Sequence, residues 1–223
     1  MNSVEQVIIL AAGKSLQLDG VNKALICHPI TKKSILEYAV EAFSGKKIIV
    51  VVGFRAIQIM QKFPQLDYVL NPDWALTNNA MSLALALNDK PTYVISGDIF
   101  IDKKLIERLD KASPDLALVS NRENRILSAI HFVVNSDNKI CETYQGPIKD
   151  IKHPESLGIF KISNPEILRS WKKRSLEHSN LFAGQLLPCK EQSISVEYLN
   201  DEFFYEINTP IDYLELTKQV YKK

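Results

Sequence analysis

Val7-Ile8-Ile9-Leu10-Ala11-Ala12-Gly13-Lys14-Ser15, with Asn22-Lys23-Ala24-Leu25 close behind, is the stretch whose reading decides the fold. Four consecutive apolar residues, three of them β-branched, predict a strand buried on both faces. Two alanines and a glycine then end it in a turn where backbone can come close to a ligand. Such a turn exposes backbone N–H groups, and groups of them bind anions. Lys23 adds a positive charge to the same place. Donors first and countercharge second are what a triphosphate needs. On the turn alone, a buried strand ending in an ordinary glycine turn with Lys23 solvated is the simpler reading.

Length and composition bound the rest. A chain of 223 residues with 46% hydrophobic and 24% charged residues is globular and long enough for one sizeable core. A formal net charge of +1 argues against a nucleic-acid binder that relies on a strong basic field. Cys27, Cys141 and Cys189 are odd in number and scattered, which excludes a disulfide framework or a zinc site of usual spacing and fits a reducing compartment. No apolar run approaches a membrane span, and the chain enters a strand without a signal peptide. The expectation is a cytoplasmic protein that binds neither membrane nor nucleic acid.

Along the chain, Asp19-Gly20 marks a turn, and Ser34 caps a helix running to Phe43. Lys47–Gly53 reads as a second buried strand, Arg55–Phe63 as a short helix and Asp67–Leu70 as a third strand. Thr77 or Asn78 caps a helix that continues through Leu87 and is apolar nearly all round, hence buried. Tyr93–Asp98 is the fourth strand, and Asp102 caps Lys103–Lys111. This alternation predicts crossover units and a largely parallel sheet. Asp115–Ser120 and Ile126–Val134 look like consecutive strands, with a turn at Asn135–Asn138, and suggest an antiparallel extension of the sheet. Asn164-Pro165 opens a helix, Lys172-Lys173-Arg174 reads as a solvated helix end, and Ser193–Leu199 as a half-buried strand. His131 and His153 read as structural or solvated.

Four further phrases bear on chemistry. Two Asn and a Ser in Thr77-Asn78-Asn79-Ala80-Met81-Ser82 exceed what capping alone requires. Asp98 ends a parallel strand, at the edge where ligands bind in open α/β sheets, and a carboxylate there can hold Mg²⁺ against phosphate. The others are Glu155-Ser156-Leu157-Gly158-Ile159-Phe160-Lys161-Ile162-Ser163 and Phe203-Phe204-Tyr205-Glu206-Ile207-Asn208-Thr209-Pro210-Ile211-Asp212.

Together these resemble the nucleotidyltransferases that activate phosphorylated sugars and alcohols. Their opening motif, L-A-A-G-x-G-x-R-L followed by P-K-A-L, matches at Leu10, Ala11, Ala12, Gly13, Leu18, Lys23, Ala24 and Leu25. Ser15 replaces the second Gly, Gln17 the Arg that contacts triphosphate, and Asn22 the Pro. The segment from Asn71 to Leu83, with Trp74 as its aromatic, resembles a phrase of the phosphocholine cytidylyltransferase branch that sits beside the nucleotide. Glu155 falls where that family has a Glu near the acceptor. Asn208 replaces the closing motif's Asp, a second metal ligand there. An amide oxygen still coordinates Mg²⁺ but brings no charge, so metal affinity should fall.

The resemblance implies an α/β, Rossmann-like three-layer sandwich with a mixed, mostly parallel sheet. It implies one nucleotidyltransferase domain over residues 1–223, with a nucleotide-binding half (1–112) and an acceptor-binding half (113–223). Lys23 and Asp98 are the implied catalytic residues. Leu10, Ala11, Ala12, Gly13, Lys14, Ser15, Gln17, Asn78, Asn79 and Ser82 would hold the nucleotide, and Asp98 with Asn208 or Glu206 would hold Mg²⁺. Trp74, Glu155 and Glu206 would face the acceptor, and Trp74 or an aromatic of Phe203–Tyr205 could meet a quaternary ammonium, core being the default for these rings. The implied reaction joins an NTP, CTP foremost, to a phosphorylated acceptor such as phosphocholine and releases pyrophosphate. A sugar-1-phosphate acceptor and a degenerate nucleotide-binding regulator stay open, as does a homodimer.

Overall fold

The computed structural model describes residues 4–121, 129–190 and 192–221. In chain order the elements are β1 (Gln6–Ala11), α1 (Ile35–Ala42), β2 (Lys47–Val52), α2 (Ala56–Lys62), β3 (Asp67–Leu70), α3 (Asn79–Ala86), β4 (Thr92–Ser96) and β5 (Ile99–Ile101). Then come α4 (Lys103–Lys111), β6 (Leu116–Ser120), β7 (Ile130–Val134), β8 (Ile140–Gln145), β9 (Glu155–Ile162), α5 (Pro165–Glu177), β10 (Ser195–Tyr198), β11 (Phe204–Glu206) and α6 (Pro210–Tyr221). The expected strand from Ile126 to Val134 is present from Ile130 onward, and residues 126–128 lie outside the described ones.

The main sheet runs β10-β6-β9-β4-β1-β2-β3, with β7 and β8 joined through β9. Strand β1 pairs in parallel with both β2 and β4. Its side chains divide by the two-residue period of a strand: Val7 and Ile9 enter one core and Ile8 the other. The first core packs Leu36 and Ala39 of α1, Ile59 of α2 and Leu105 and Leu109 of α4 on one face. The second packs Leu83 of α3 and Leu168 and Trp171 of α5 on the opposite face. Helices therefore cover both faces of a mixed sheet of mostly parallel strands. That is the α/β three-layer, Rossmann-like arrangement, and it explains why β1 and β2 read as uninterrupted apolar runs.

Several local readings are corrected. Strands β6 and β7, consecutive in the chain, do not pair with each other: each lies antiparallel to β9, β6 also pairs in parallel with β10, and β7 pairs antiparallel with β8. The basic cluster at 172–174 lies inside α5, where Lys172 Nζ reaches back to Leu87 O at 2.8 Å. Helix α3 is capped by Asn78 and leaves Leu85 exposed, so it is buried on most rather than all of its surface. His131 is buried, stacked on Tyr144 and within 3.1 Å of Gly146 O, which is the structural role expected of it. Among the described residues no helix is long and apolar enough to cross a membrane.

Helix ends are closed by side chains the sequence announces. Asp102 accepts from Leu105 N and Asn164 from Glu166 N, with Pro165 in the first turn. At α1, Ser34 and Glu37 form a reciprocal capping box, and Lys62 of α2 adds an ion pair at 2.9 Å. Burial alone would raise the Glu37 carboxyl. The Ser34 hydroxyl and N–H and the Lys62 ammonium outweigh it and hold the group at about 2. A carboxylate depressed on folding stabilises the protein above its unfolded range and ceases to do so as pH falls through the folded value. Glu37→Gln should thus cost about 1 kcal/mol at neutral pH, the weight of a cap on a partly exposed pair. Urea melts between pH 7 and 2 should show this deficit shrinking only below about pH 4.5.

Candidate functional site

Strand order reverses between β1 and β4: β2 and β3 continue on one side of β1, and the chain then crosses to lay β4 on the other. In open sheets the crevice at such a switch point, beyond the carboxyl ends of the strands, is where ligands bind. Here it is a cleft of about 540 Å³. Its floor needs glycine, because a Cβ on Gly97 would stand 2.7 Å from Leu10 O and 3.0 Å from the Ala11 Cβ. Gly13 differs. Nothing lies within 4 Å of a Cβ built there, and the residue is exposed at the cleft's edge. No hydrogen bond among the described residues uses the Gly13 or Lys14 N–H.

The loop after Gly13 is more ordered than its composition suggests. A 3-10 turn at Leu16–Leu18 and a bridge between Ser15 and Val21 close it into a small ring, with Asp19 and Gly20 at positive φ. Lys14 and Arg55 both lie over the Phe54 ring. Asn22, where the related motif has Pro, is buried and works in two directions. Its Oδ1 accepts from Ala24 N at 3.2 Å and its Nδ2 donates to Phe54 O at 3.4 Å. That clamps the 3-10 turn carrying Lys23 against the β2–α2 connection.

Lys23 Nζ then lies 2.9 Å from Asp98 Oδ2 and 2.7 Å from Asn208 Oδ1. What brings Asn208 there is an element the sequence did not announce. Strands β5 and β11 pair antiparallel, with Glu206 opposite Ile99, and Ile207 N continues the ladder to Asp98 O at 3.0 Å. Asp212 holds the following turn by accepting from Asn208 N and Thr209 N, so Thr-Pro opens α6 as expected. Burial first, and the Asp98 charge second, push the Glu206 carboxyl up to about 7, Glu155 adding to this while Asn208 and Lys23 oppose it.

Of the residues the sequence singled out, Leu10, Ala11, Gly13, Lys14, Ser15, Gln17, Lys23, Asn78, Asn79, Asp98, Glu155, Glu206 and Asn208 line the cleft. Ala12, Trp74 and Ser82 do not. They line a side cavity of about 80 Å³ that shares Leu10, Gly13, Asn78 and Asn79 with it. Trp74 packs on Phe54, and Ser82 accepts from buried Asn71 at 3.1 Å. Asn78 caps α3, while Asn79 Oδ1 accepts from Ala183 N at 2.7 Å, so the surplus of amides is partly structural. Phe203 and Tyr205 belong to a separate cluster behind the cleft, with Tyr38 and Phe100.

Sequence reading missed Phe182, Ala183 and Gly184, which line the cleft together with Ile130 and Phe160, the two side chains nearest Gly184. They sit on an irregular apolar stretch with no periodicity and no chemical group to flag. The segment is placed by Trp171, fully buried, whose Nε1 donates to Ala183 O at 2.8 Å. Phe182 is the half-buried aromatic on this wall.

Asp98 Oδ1 is a buried oxygen with no hydrogen-bond partner in the described structure. Together with the Asn208 amide oxygen it is a hard-oxygen set suited to Mg²⁺, which commonly takes one or two protein ligands and fills its shell from phosphate and water. The residues present fit that ion. Among the described residues no three His, Cys, Asp or Glu side chains group as a ready-made metal cage.

Comparison with known proteins gives three findings. The family model described as the MobA-like NTP transferase domain matches residues 7–177. The bifunctional protein GlmU of Methanococcus maripaludis strain C5 is 30% identical over 169 residues, covering 70% of this chain and 40% of that protein, and CMP-5'-(3-aminopropyl)phosphonate synthase of Streptomyces rubellomurinus is 23% identical over 177 residues, covering 74% and 28%. The chain thus spans well under half the length of these curated relatives. Among solved structures, CTP:phosphocholine cytidylyltransferase of Streptococcus pneumoniae superposes with a TM-score of 0.79 at 23% identity, over 96% of this chain and 98% of that one, a likeness of fold.

The two glycines separate packing from ligand approach. Gly97→Ala should lower stability by about 1–3 kcal/mol, since the methyl meets backbone that cannot move freely. Gly13→Ala should leave the melting temperature unchanged within error while weakening anion binding at the turn. A stability loss at Gly13 equal to that at Gly97 would remove the case for a ligand-facing turn.

Proposed function

The chain belongs to the MobA-like NTP transferase family, and from that premise we propose that it joins CTP to the phosphate of a small phosphorylated acceptor such as phosphocholine, releasing pyrophosphate. The observation that carries this reading is the convergence of Lys23, Asp98 and Asn208 beside the open Gly13 turn, at the carboxyl ends of β1 and β4.

The chemistry asks little of the protein beyond position and charge. An acceptor phosphate is already ionised and attacks the α-phosphorus in line as pyrophosphate leaves, so no general base is required. The N–H groups of Gly13 and Lys14 and the ammonium groups of Lys14 and Lys23 would hold the triphosphate. Lys14 supplies the cation nearest to Gln17, where the related motif has Arg. Asp98 and Asn208 would hold Mg²⁺, which when bound neutralises phosphate charge.

A pyrimidine base is favoured by the side cavity. It is small, which suits a one-ring base, and Asn71, Thr77, Asn78, Asn79 and Ser82 give its wall both donors and acceptors. The names of two similar proteins, a CMP-phosphonate synthase and a phosphocholine cytidylyltransferase, point the same way. For a quaternary ammonium acceptor, Phe182 replaces Trp74, Phe203 and Tyr205 as the ring able to face it, with Glu155 and Glu206 as neighbouring carboxylates.

Pyrophosphate release should be detected with CTP, Mg²⁺ and phosphocholine or an alkylphosphonate, and Asp98→Ala should abolish it. The loss of charge at Gln17 and Asn208 favours a second reading, a regulator that keeps the pocket without turnover. Stabilisation by CTP with no pyrophosphate from any phosphorylated acceptor would establish that reading instead.

Phe182→Leu should raise the KM for phosphocholine by the equivalent of about 1–2 kcal/mol, the weight of a desolvated cation–π contact. Trp74→Leu should leave that KM unchanged. The reverse pattern would move the acceptor into the side cavity.

A further inference from the structure

Taking the nucleotidyltransferase reading for its ligand, we propose that the Lys23 ammonium occupies the divalent-cation position of the ligand-free protein, so that the metal binds only after a polyphosphate has drawn Lys23 away. The two groups that would hold Mg²⁺ are the two that hold Lys23: Asp98 Oδ2 at 2.9 Å and Asn208 Oδ1 at 2.7 Å. Asp98 and Lys23 cancel each other's charge, and Asn208 brings none. Of the oxygens of these two ligands, Asp98 Oδ1 is the one left without a hydrogen-bond partner.

Hard-cation affinity follows the number and charge of the oxygens offered, and Mg²⁺ gives up its water reluctantly. One oxygen of an already neutralised carboxylate, beside an ammonium, is a poor offer. A triphosphate reverses the balance. Its oxygens bring their own negative charge to the cation, and they attract Lys23, whose flexible stem and partly exposed side chain permit the swing. Once Lys23 has moved, Asp98 Oδ2 and Asn208 Oδ1 are released together, because the same atom held both. Asn208 is what makes this order necessary. A carboxylate in its place would leave net negative charge even with Lys23 seated, and would admit the metal to the free protein.

Mn²⁺ titration of the protein without nucleotide, read by the loss of the free-ion electron paramagnetic resonance signal, tests this directly. Wild type should leave the free-ion signal intact up to about millimolar Mn²⁺, whereas Asn208→Asp and Lys23→Met should each tighten binding by on the order of tenfold or more. If Lys23→Met does not fold, Asn208→Asp decides alone. Mn²⁺ binding to wild type as tight as to Asn208→Asp would overturn the inference. These arms need no nucleotide, so they stand even if CTP proves not to be the substrate. A separate titration with CTP present should show wild type broadening the Mn²⁺ spectrum beyond CTP alone. Absence of any CTP effect there would count against the nucleotidyltransferase reading, not against Lys23 as the occupant.

Discussion

The contact of Lys23 Nζ with Asp98 and Asn208 draws together three segments that are far apart in sequence. Lys23 must arrive on a rigid turn, which Asn22 provides by capping it and bonding Phe54 O. Asp98 must follow closely on a strand adjacent to β1, which requires Gly97 because the Leu10 carbonyl of β1 lies 2.7 Å from where a Cβ would sit, inside van der Waals contact. Asn208 must be returned from the far end of the chain, and the β5–β11 ribbon with α6 does this. An error in any one of the three would leave a charged group half-buried without its partner, which costs more than the pair contributes.

The frame that makes such positioning dependable is the two-faced sheet. Alternate residues of β1, β4 and β6 enter opposite cores, so no strand can slip by one residue without turning both faces inside out. At the end of the sheet away from the cleft, buried Lys161 of β9 donates to the carbonyls of Leu109 and Ala112 at the end of α4, and burial pulls its ammonium below the ordinary range. A lysine there ties helix to strand through carbonyls of the helix end, where intrahelical hydrogen bonds run out, Leu109 O accepting from Ala112 N as well.

The division of the cleft into a charged side and an apolar side follows from the same topology. Loops at the carboxyl ends of β1 and β4 bring Gly13, Lys14, Lys23 and Asp98, while β7, β9 and the segment before β10 bring Ile130, Glu155, Phe160 and Phe182. In the proposed reaction the phosphates would lie on the first side, where backbone N–H groups and ammonium groups gather. Acceptor recognition would fall to the second, which offers shape, the Phe160 and Phe182 rings and the Glu155 carboxylate.

The order of strands and helices from β1 to β4, the buried nature of β1 and β2, the caps at Ser34, Asp102 and Asn164, and the places of Gly13 and Asp98 just beyond strand ends were legible in the sequence. Each is a local matter: periodicity, a capping side chain or a short motif depends on neighbours a few residues away. Tertiary structure alone decided that Trp74 and Ser82 turn away from the cleft, that Phe182 enters it and that β6 pairs in parallel with β10. It also decided that Lys23 rests on both candidate metal ligands. The Lys23 contacts and the pairing of β6 with β10 join residues about 75 to 185 positions apart. At that separation the partner is chosen by the packing of the whole sheet, and no pattern within either segment records it.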